Sequence, residues 1–185
     1  ATPEADKQDF KTFVTDPGFL PDEIKLYPCA LVSGTQLVQK YREGAWQPYA
    51  KDELVDVLVQ DVLATPPYVR ISRMIRDISA TDILVGNKHT NLRQMVEQEL
   101  AAKDVASRVQ EIRFREINQQ QVSAAELTLQ DFVYTTAVSD EHFLQWVTAD
   151  NKIAGFCRLS LPHWDKLTAG TCDVTANELL VQPGQ

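Results

Sequence analysis

Cysteine is scarce in this sequence, and the glycine-rich and catalytic motifs that often identify an enzyme are missing. The only cysteines are Cys29, Cys157 and Cys172, and no two of them are spaced as a CxxC pair. This spacing indicates neither a disulfide framework nor a metal site, and it is typical of a protein of the reducing cytoplasm. With only seven glycines, the chain also has no GxGxxG, GxxxxGK or GxSxG motif. The sequence therefore predicts no nucleotide-phosphate loop and no hydrolase nucleophile.

Long apolar runs are missing as well. No stretch of about 18 uncharged apolar residues occurs, and the chain does not open with a basic and then apolar signal segment. We therefore expect no membrane-spanning segment and no membrane partner. Hydrophobic residues nevertheless make up 44% of the chain, which is enough to build a folded core.

Basic residues are outnumbered overall but not in the middle of the chain. The 18 basic and 26 acidic residues give a net charge of −8, which disfavours a partner rich in phosphate. Between Arg70 and Arg115, however, nine basic residues accompany six acidic ones, so this stretch carries +3. Tyr68 and Phe114 adjoin arginines there. That pattern suits base stacking in nucleic-acid binding and, equally, two core aromatics flanked by solvated charges.

The first hundred residues alternate between helical and strand patterns. Apolar, β-branched runs predict a buried strand over 23–32, interrupted at Pro28, and a second strand over 68–78. Alternating helices and strands are typical of an α/β fold with parallel strands. Helical spacing of apolar residues predicts three main helices: 4–14, 50–64 and 91–103.

Near residue 120 the pattern changes to that of a β meander, and we place a change of domain there. The stretch 108–117 before this point is predicted to be extended. Cys157 alternates with Ile153 and Leu159, which predicts a small core residue. Turn residues separate three predicted strands: 127–138, 141–148 and 153–161.

Four strings carry a resemblance to a known family, and their order and spacing agree with it. PDEIKLYP at 21–28 and PPYVRISRMIRDI at 66–78 are the most specific strings. NLR at 91–93 and IRFREI at 112–117 follow in the expected order. In these strings, and over most of its length, the chain resembles the catalytic subunits of Elongator.

The resemblance implies an α/β fold assembled from parts of two domains. Residues 1–103 would be the C-terminal part of a radical-SAM partial TIM barrel, and 104–125 a linker. Residues 126–185 would be the first antiparallel strands of a GNAT-type acetyltransferase domain. Proteins of this family attach a carboxymethyl-type group to the wobble uridine of tRNA.

The same resemblance implies cofactors, partners and a binding site. The family uses a 4Fe-4S cluster, S-adenosylmethionine and acetyl-CoA, and its members bind tRNA. A homodimer or Elongator-like partner subunits are also implied. The tRNA groove would be lined by six basic residues of this chain: Lys25, Arg70, Arg73, Arg76, Arg113 and Arg115.

The sequence also departs from the family pattern. The three-cysteine motif of a radical-SAM domain is missing, and Ser107, Gln110 and Arg113 stand where many prokaryotic members have zinc-binding cysteines. The glycine-rich turn and catalytic tyrosines that would follow 179–185 are missing too. We therefore expect a fragment that is inactive alone, with no catalytic residue, metal or cofactor of its own. The alternative is a non-catalytic module of the same fold that binds tRNA or protein.

Overall fold

A computed structural model describes residues 2–75 and 78–169 of the chain. Within these residues the chain divides into two compact units. The first unit comprises residues 2–15 and Pro21–Phe114. The second comprises Asp16–Leu20 and 115–169.

Helix α3 (Lys51–Ala64) is the centre of the first unit. Its side chains are buried on more than one face, and α1 (Pro3–Thr15) and α4 (Leu92–Ala102) both pack against it. The helix begins where the Glu53 carboxylate accepts a hydrogen bond from Ala50 N–H, at 2.9 Å, and the two prolines after Thr65 prevent its continuation. The three main helices predicted from apolar spacing are therefore confirmed. A shorter helix, α2 (Leu37–Arg42), lies between α1 and α3 in the chain order.

Four short strands complete the first unit. β1 (Glu23–Leu26) pairs in parallel with β3 (Arg70–Met74), which confirms the predicted parallel arrangement. β2 (Leu31–Val32) pairs antiparallel with β4 (Ile83–Val85). The single strand predicted over 23–32 is thus two strands in two different sheets. The chain leaves the first sheet just before Pro28, because proline has no N–H to continue the ladder.

The second unit is built on a three-stranded antiparallel sheet. Its strands are β5 (Thr128–Thr135), β6 (Ser139–Val147) and β7 (Ile153–Pro162), in the spatial order β5-β6-β7. Asn151 makes the turn between β6 and β7 with a positive φ of 63°, a conformation that asparagine tolerates well. A short helix, Trp164–Thr168, follows the sheet. The predicted β meander is confirmed.

The stretch 108–117 is not extended as predicted. A 3-10 turn at Ala106–Arg108 ends at the first residue of this stretch, and the stretch itself contains a one-turn helix, α5 (Ile112–Arg115). The carboxylate of Glu111 accepts a hydrogen bond from Phe114 N–H at 3.0 Å, which stabilises the start of that turn. This local bond favours a helical turn over the extended conformation that was predicted from the apolar residues of the stretch.

Cys157 is not a core residue, because it lies on a sheet face that is exposed. Alternate residues of β6, including Phe143 and Val147, are buried. The opposite side of the sheet we call the open face. Its exposed residues are: Leu129, Val133, Trp146, Cys157, Leu159 and Leu161. The predicted alternation is broken by a register shift between Trp146 and Val147. The shift leaves Ile153 buried opposite Val147 but places Cys157 opposite Leu144, on the open face.

Candidate nucleic-acid interface

The register of β1 and β3 brings basic side chains together on one side of a small sheet. Glu23 lies opposite Arg70, and Lys25 lies opposite Arg73. Ile24 and Ile71 between them are buried on the other side. Because side chains alternate along a strand, this burial turns the charged residues away from the core.

A register shift in β3 keeps Arg70 and Arg73 on the same side although they are three residues apart. The shift leaves Ser72 as an extra residue, and its hydroxyl donates a hydrogen bond to the Glu23 carboxylate at 2.7 Å. The guanidinium of Arg113 donates to the Ser72 carbonyl oxygen at 2.7 Å. Arg113 is thereby held beside the strand that carries Arg73.

The outer edge of β3 is occupied by charged side chains. Glu111 accepts a hydrogen bond from Ile71 N–H at 2.5 Å, and the guanidinium of Arg93 donates to the Ile71 carbonyl oxygen. Ile112 N–H donates to the Val69 carbonyl oxygen at 3.1 Å. These bonds satisfy backbone groups that would otherwise be available to another strand.

Glu111 and Arg93 form a buried pair. Their closest charged atoms, Arg93 Nη1 and Glu111 Oε2, are 4.0 Å apart, and the Glu111 side chain is fully buried. Burial raises the pKa of Glu111 against the opposing effect of its backbone N–H partners, and burial also lowers the pKa of Arg93. The two charges neutralise each other, so Arg93 does not add to the positive charge offered to solvent.

The structure brings four of the six predicted tRNA-binding residues together. Lys25, Arg73 and Arg113 are exposed, and Arg70 is half-buried beside them. The side chains of Lys25 and Arg73 make no hydrogen bond or ion pair to another of the described residues. Arg76 lies outside the described residues. We call Lys25, Arg73 and Arg113 the basic edge.

Arg115 is placed differently from the other predicted residues. It lies in the second unit and is only 4% exposed. Its guanidinium donates hydrogen bonds to the side-chain oxygens of Gln145, at 3.1 Å, and Asn151, at 3.0 Å. These bonds tie the residue to β6 and to the following turn, so Arg115 is not part of the basic edge.

The two aromatic residues that adjoin arginines in the sequence are packed against the protein. Tyr68 is 5% exposed. Phe114 is half-buried, and the guanidinium of Arg93 lies over its ring, 5.4 Å from the centroid. The structural interpretation of these aromatics therefore holds, because neither ring presents a free face for a base.

Sequence reasoning did not identify the supporting roles of Arg93 and Glu111. Arg93 follows the buried Leu92 at the start of α4, and Glu111 lies between the buried Val109 and Ile112. A charged residue embedded among apolar ones was the available signal, because such a residue needs a partner of opposite charge when it is buried.

The described residues do not fit an iron–sulfur cluster. Such a cluster needs several cysteine thiolates, and the described cysteines are Cys29 in the first unit and Cys157 in the second, both exposed. Among residues 2–75 and 78–169, no group of three acidic, histidine or cysteine side chains converges on one point. Cys172 and the predicted strand before the acetyl-CoA turn, 179–185, lie outside the described residues.

The helices were also compared with the length and hydropathy that a membrane span requires. Of those in the described part of the chain, none is both long and apolar enough to cross a bilayer.

The α/β unit matches a known domain family. Residues 21–102 match the family model described as the Radical_SAM C-terminal domain. The fold of a solved structure, the archaeal Methanocaldococcus infernus Elp3 with an N-terminal deletion, matches with a TM-score of 0.81 and 32% identity. That match covers 88% of this chain and 39% of the other. The mixed α/β fold with antiparallel strands is therefore confirmed.

The curated relatives carry the names of one family. The chain is 39% identical to a tRNA uridine(34) acetyltransferase of Methanocaldococcus infernus over 62% of its own length and 21% of the relative's. It is 36% identical to a protein of that name from Dehalococcoides mccartyi over 88% and 35%. It is 30% identical to Elongator complex protein 3 of Homo sapiens over 84% and 29%. The resemblance to the Elongator catalytic subunits is confirmed, and the chain spans about a fifth to a third of these relatives' length.

Proposed function

We propose that this chain is part of a tRNA-modifying acyltransferase that acts on the wobble uridine, and that its first unit contributes a tRNA-binding surface. The observation that carries the second statement is the basic edge, in which β1 and β3 place Lys25 opposite Arg73 with Arg113 beside them. The names of the relatives support the first statement.

The chemistry of the basic edge suits phosphate rather than a carboxylate partner inside the protein. Lys25 and Arg73 are exposed on adjacent strands, and Arg113 is fixed by one hydrogen bond to Ser72 while its other N–H groups remain donors. Arginine and lysine contact the phosphates of nucleic acids and release counterions when they do so. The overall charge of −8 limits non-specific binding, so contact with tRNA is concentrated at this edge.

The proposed enzyme needs groups that the described residues do not hold. S-adenosylmethionine and a 4Fe-4S cluster would supply the radical chemistry, and acetyl-CoA the transferred group. The chain has no three-cysteine motif, so we propose that it is inactive alone and contributes tRNA contacts within the enzyme. A cytoplasmic location and a homodimer or Elongator-like partner subunits are part of the same proposal.

A tRNA-binding titration at several salt concentrations tests the basic edge. The variant Lys25→Ala/Arg73→Ala/Arg113→Ala removes three exposed cations without touching the buried core. We expect its affinity for tRNA to fall about tenfold or more at low salt. The slope of log K against log salt should also decrease by about two to three, because roughly one counterion is released per phosphate contact.

The control for this titration has the same change of charge elsewhere in the first unit. Lys11, Lys40 and Arg42 are exposed residues of α1 and α2, and their triple alanine variant should bind tRNA as the unmodified chain does. Equal losses in the two variants would mean that binding depends on net charge alone. The absence of measurable binding by the unmodified chain at low salt would contradict the proposed surface.

The alternative function, a non-catalytic module, predicts a different result for protein partners. The open face of the second unit presents apolar side chains such as Trp146, which is 46% exposed, and Leu159, which is 48% exposed. A module of this kind would retain full tRNA or protein binding with no requirement for cofactors. Activity restored by combining the chain with the remaining parts of a relative would favour the enzyme.

A further inference from the structure

The first unit contains a cavity whose lining includes Lys25 of the basic edge but neither Arg73 nor Arg113. It has a volume of about 670 Å³ and lies between α1, the end of β1, α3 and the loop before α3. This volume is within the range of small-molecule sites. Its aromatic wall consists of five residues: Phe10, Phe13, Tyr27, Trp46 and Tyr49.

A buried carboxyl group lines this cavity. Asp61, on the face of α3 that looks toward the cavity, is only 6% exposed, and its Oδ1 has no hydrogen-bond partner among the described residues. A buried polar atom without a partner is unfavourable and calls for an explanation. Burial raises the pKa of this carboxyl to about 7, with a contribution from nearby Asp6. Near neutral pH this carboxyl can therefore accept a hydrogen bond or form an ion pair with a cation.

The other charged groups of the cavity also favour a cation. Asp6 and Asp9 line it together with Asp61, and Lys25 is the one basic side chain in the described lining. Asp6 already accepts a hydrogen bond from the Tyr49 hydroxyl at 2.7 Å. Asp9 is exposed to solvent, so Asp61 is the buried carboxyl that is left for an incoming donor. A phosphate or carboxylate ligand would meet three acidic groups here and be repelled.

We propose that this cavity binds a protonated amine carried on an aromatic or other apolar body, with the ammonium group donating to Asp61. The aromatic wall would hold the apolar body, and ring faces such as those of Trp46 and Tyr49 attract cations. Each part of the site has one task in this arrangement. The apolar wall supplies affinity, and Asp61 selects the charged group. Apart from Lys25, which lies in both, the site is independent of the proposed tRNA surface.

A matched pair of probes separates these two tasks. Phenethylamine and phenethyl alcohol have the same ring and chain length but differ in the ammonium group. Titration calorimetry with the full chain near pH 8, above the pKa of Asp61, should show the amine binding about tenfold more tightly than the alcohol. Asp61→Asn should remove this preference and leave binding of the alcohol unchanged.

Two further variants keep the result interpretable. Asp52→Asn makes the same change at an exposed position in the first turn of α3 and should keep the preference for the amine. Trp46→Ala removes part of the apolar wall and a ring that attracts cations, so it should weaken both probes and the amine somewhat more than the alcohol. Equal affinity for amine and alcohol, an amine preference that survives Asp61→Asn, or no binding of either probe would each overturn the proposal. A loss of tRNA binding in Asp61→Asn would contradict the independence of the two sites.

Discussion

The two units of this protein treat their apolar residues in opposite ways. Among the described residues, nineteen buried apolar side chains lie in the first unit and four in the second. In the first unit, α1 and α4 pack against α3, and the strands bury Ile24 and Ile71. In the second unit, one face of the sheet is the open face. Apolar alternation along a strand therefore predicts a sheet but does not say whether either of its faces is covered.

The outer edges of the β1–β3 sheet and of the three-stranded β5–β6–β7 sheet also differ. The outer edge of β3 is closed by Glu111 and Arg93, which satisfy the backbone of Ile71. In the described part of the second unit, β5 and β7 are the outer strands and β6 lies between them. Because a buried ion pair closes the outer edge of β3, the stability of that edge depends on a few polar contacts. The stability of the three-stranded sheet depends on backbone hydrogen bonds between its strands.

The strongest test of this difference is Glu111→Ala. The change leaves the N–H groups of Ile71 and Phe114 without their acceptor and leaves Arg93 without its counter-charge. We expect the free energy of unfolding of the first unit to fall by about 3 to 5 kcal/mol, because an unpaired buried charge is costly. Hydrogen exchange measured by mass spectrometry should show lost protection in β1 and β3 before any loss in β6.

The control for this experiment is Glu97→Ala, which removes an exposed carboxylate of α4 and should leave exchange unchanged. A Glu111→Ala protein in which β3 and β6 lose protection together would show that the two units unfold as one. The first unit would then have no separate dependence on the buried Glu111–Arg93 pair.

A smaller effect is expected from truncating one leucine in each unit. Leu100 on α4 is 1% exposed, and Leu159 on the open face is 48% exposed. Leu100→Ala should lower the free energy of unfolding by about 2 to 4 kcal/mol, because it leaves a cavity in the core. Leu159→Ala should change it by less than about 0.5 kcal/mol. Urea denaturation of both variants checks this, and similar losses would mean that the open face is covered in solution.

A further effect, which depends on pH, is expected at Asp61. Its pKa in the folded protein is about 7, above the value near 4 of an unfolded aspartate, so ionising it opposes folding. Its unfavourable contribution therefore grows as pH rises from about 4 to 7. Asp61→Asn should make the protein more stable at pH 8 by up to about 4 kcal/mol, the free energy that corresponds to moving the pKa from near 4 to about 7, and leave it little changed at pH 4.

In the second unit, the pKa of Asp140 is shifted in the opposite direction from that of Asp61. Hydrogen bonds from Thr135 and His163 lower the pKa of Asp140, so this group stabilises the fold above the ordinary aspartate pKa and loses that effect as pH falls. Thermal melts of Asp61→Asn and Asp140→Asn between pH 4 and 8 should therefore diverge in opposite directions. Parallel pH profiles of the two variants would show that Asp61 is not destabilising when ionised.

The sequence allowed most elements of the fold to be predicted, and the errors have identifiable causes. The helices and the β meander follow from apolar periodicity, which is a local property. The prediction of one strand over 23–32 was wrong because the residues before and after Pro28 pair with different strands, in two different sheets. The apolar pattern does not show which strands they pair with. The prediction of an extended conformation over 108–117 was wrong because this stretch contains a helical turn. The Glu111 carboxylate, which accepts a hydrogen bond from Phe114 N–H, stabilises that turn.

The candidate site shows the same division between local and long-range information. The strings around Lys25 and Arg73 were recognisable, but their position opposite each other depends on the β1–β3 register. Arg115 carries the same charge as Arg113 two residues earlier, yet it is buried and bonded to Gln145 and Asn151. Adjacent charges in a sequence cannot be told apart until the surrounding elements are packed.

Residue type, spacing and order along the chain were enough to predict most local elements, the change of pattern near residue 120 and the resemblance to the Elongator catalytic subunits. Three features depend on packing instead: which basic residues share a surface, the position of Asp61 in a cavity without a partner, and which sheet face remains open. Burial and pairing join residues that are far apart in sequence, and these contacts determine the energy of a charge or an apolar side chain.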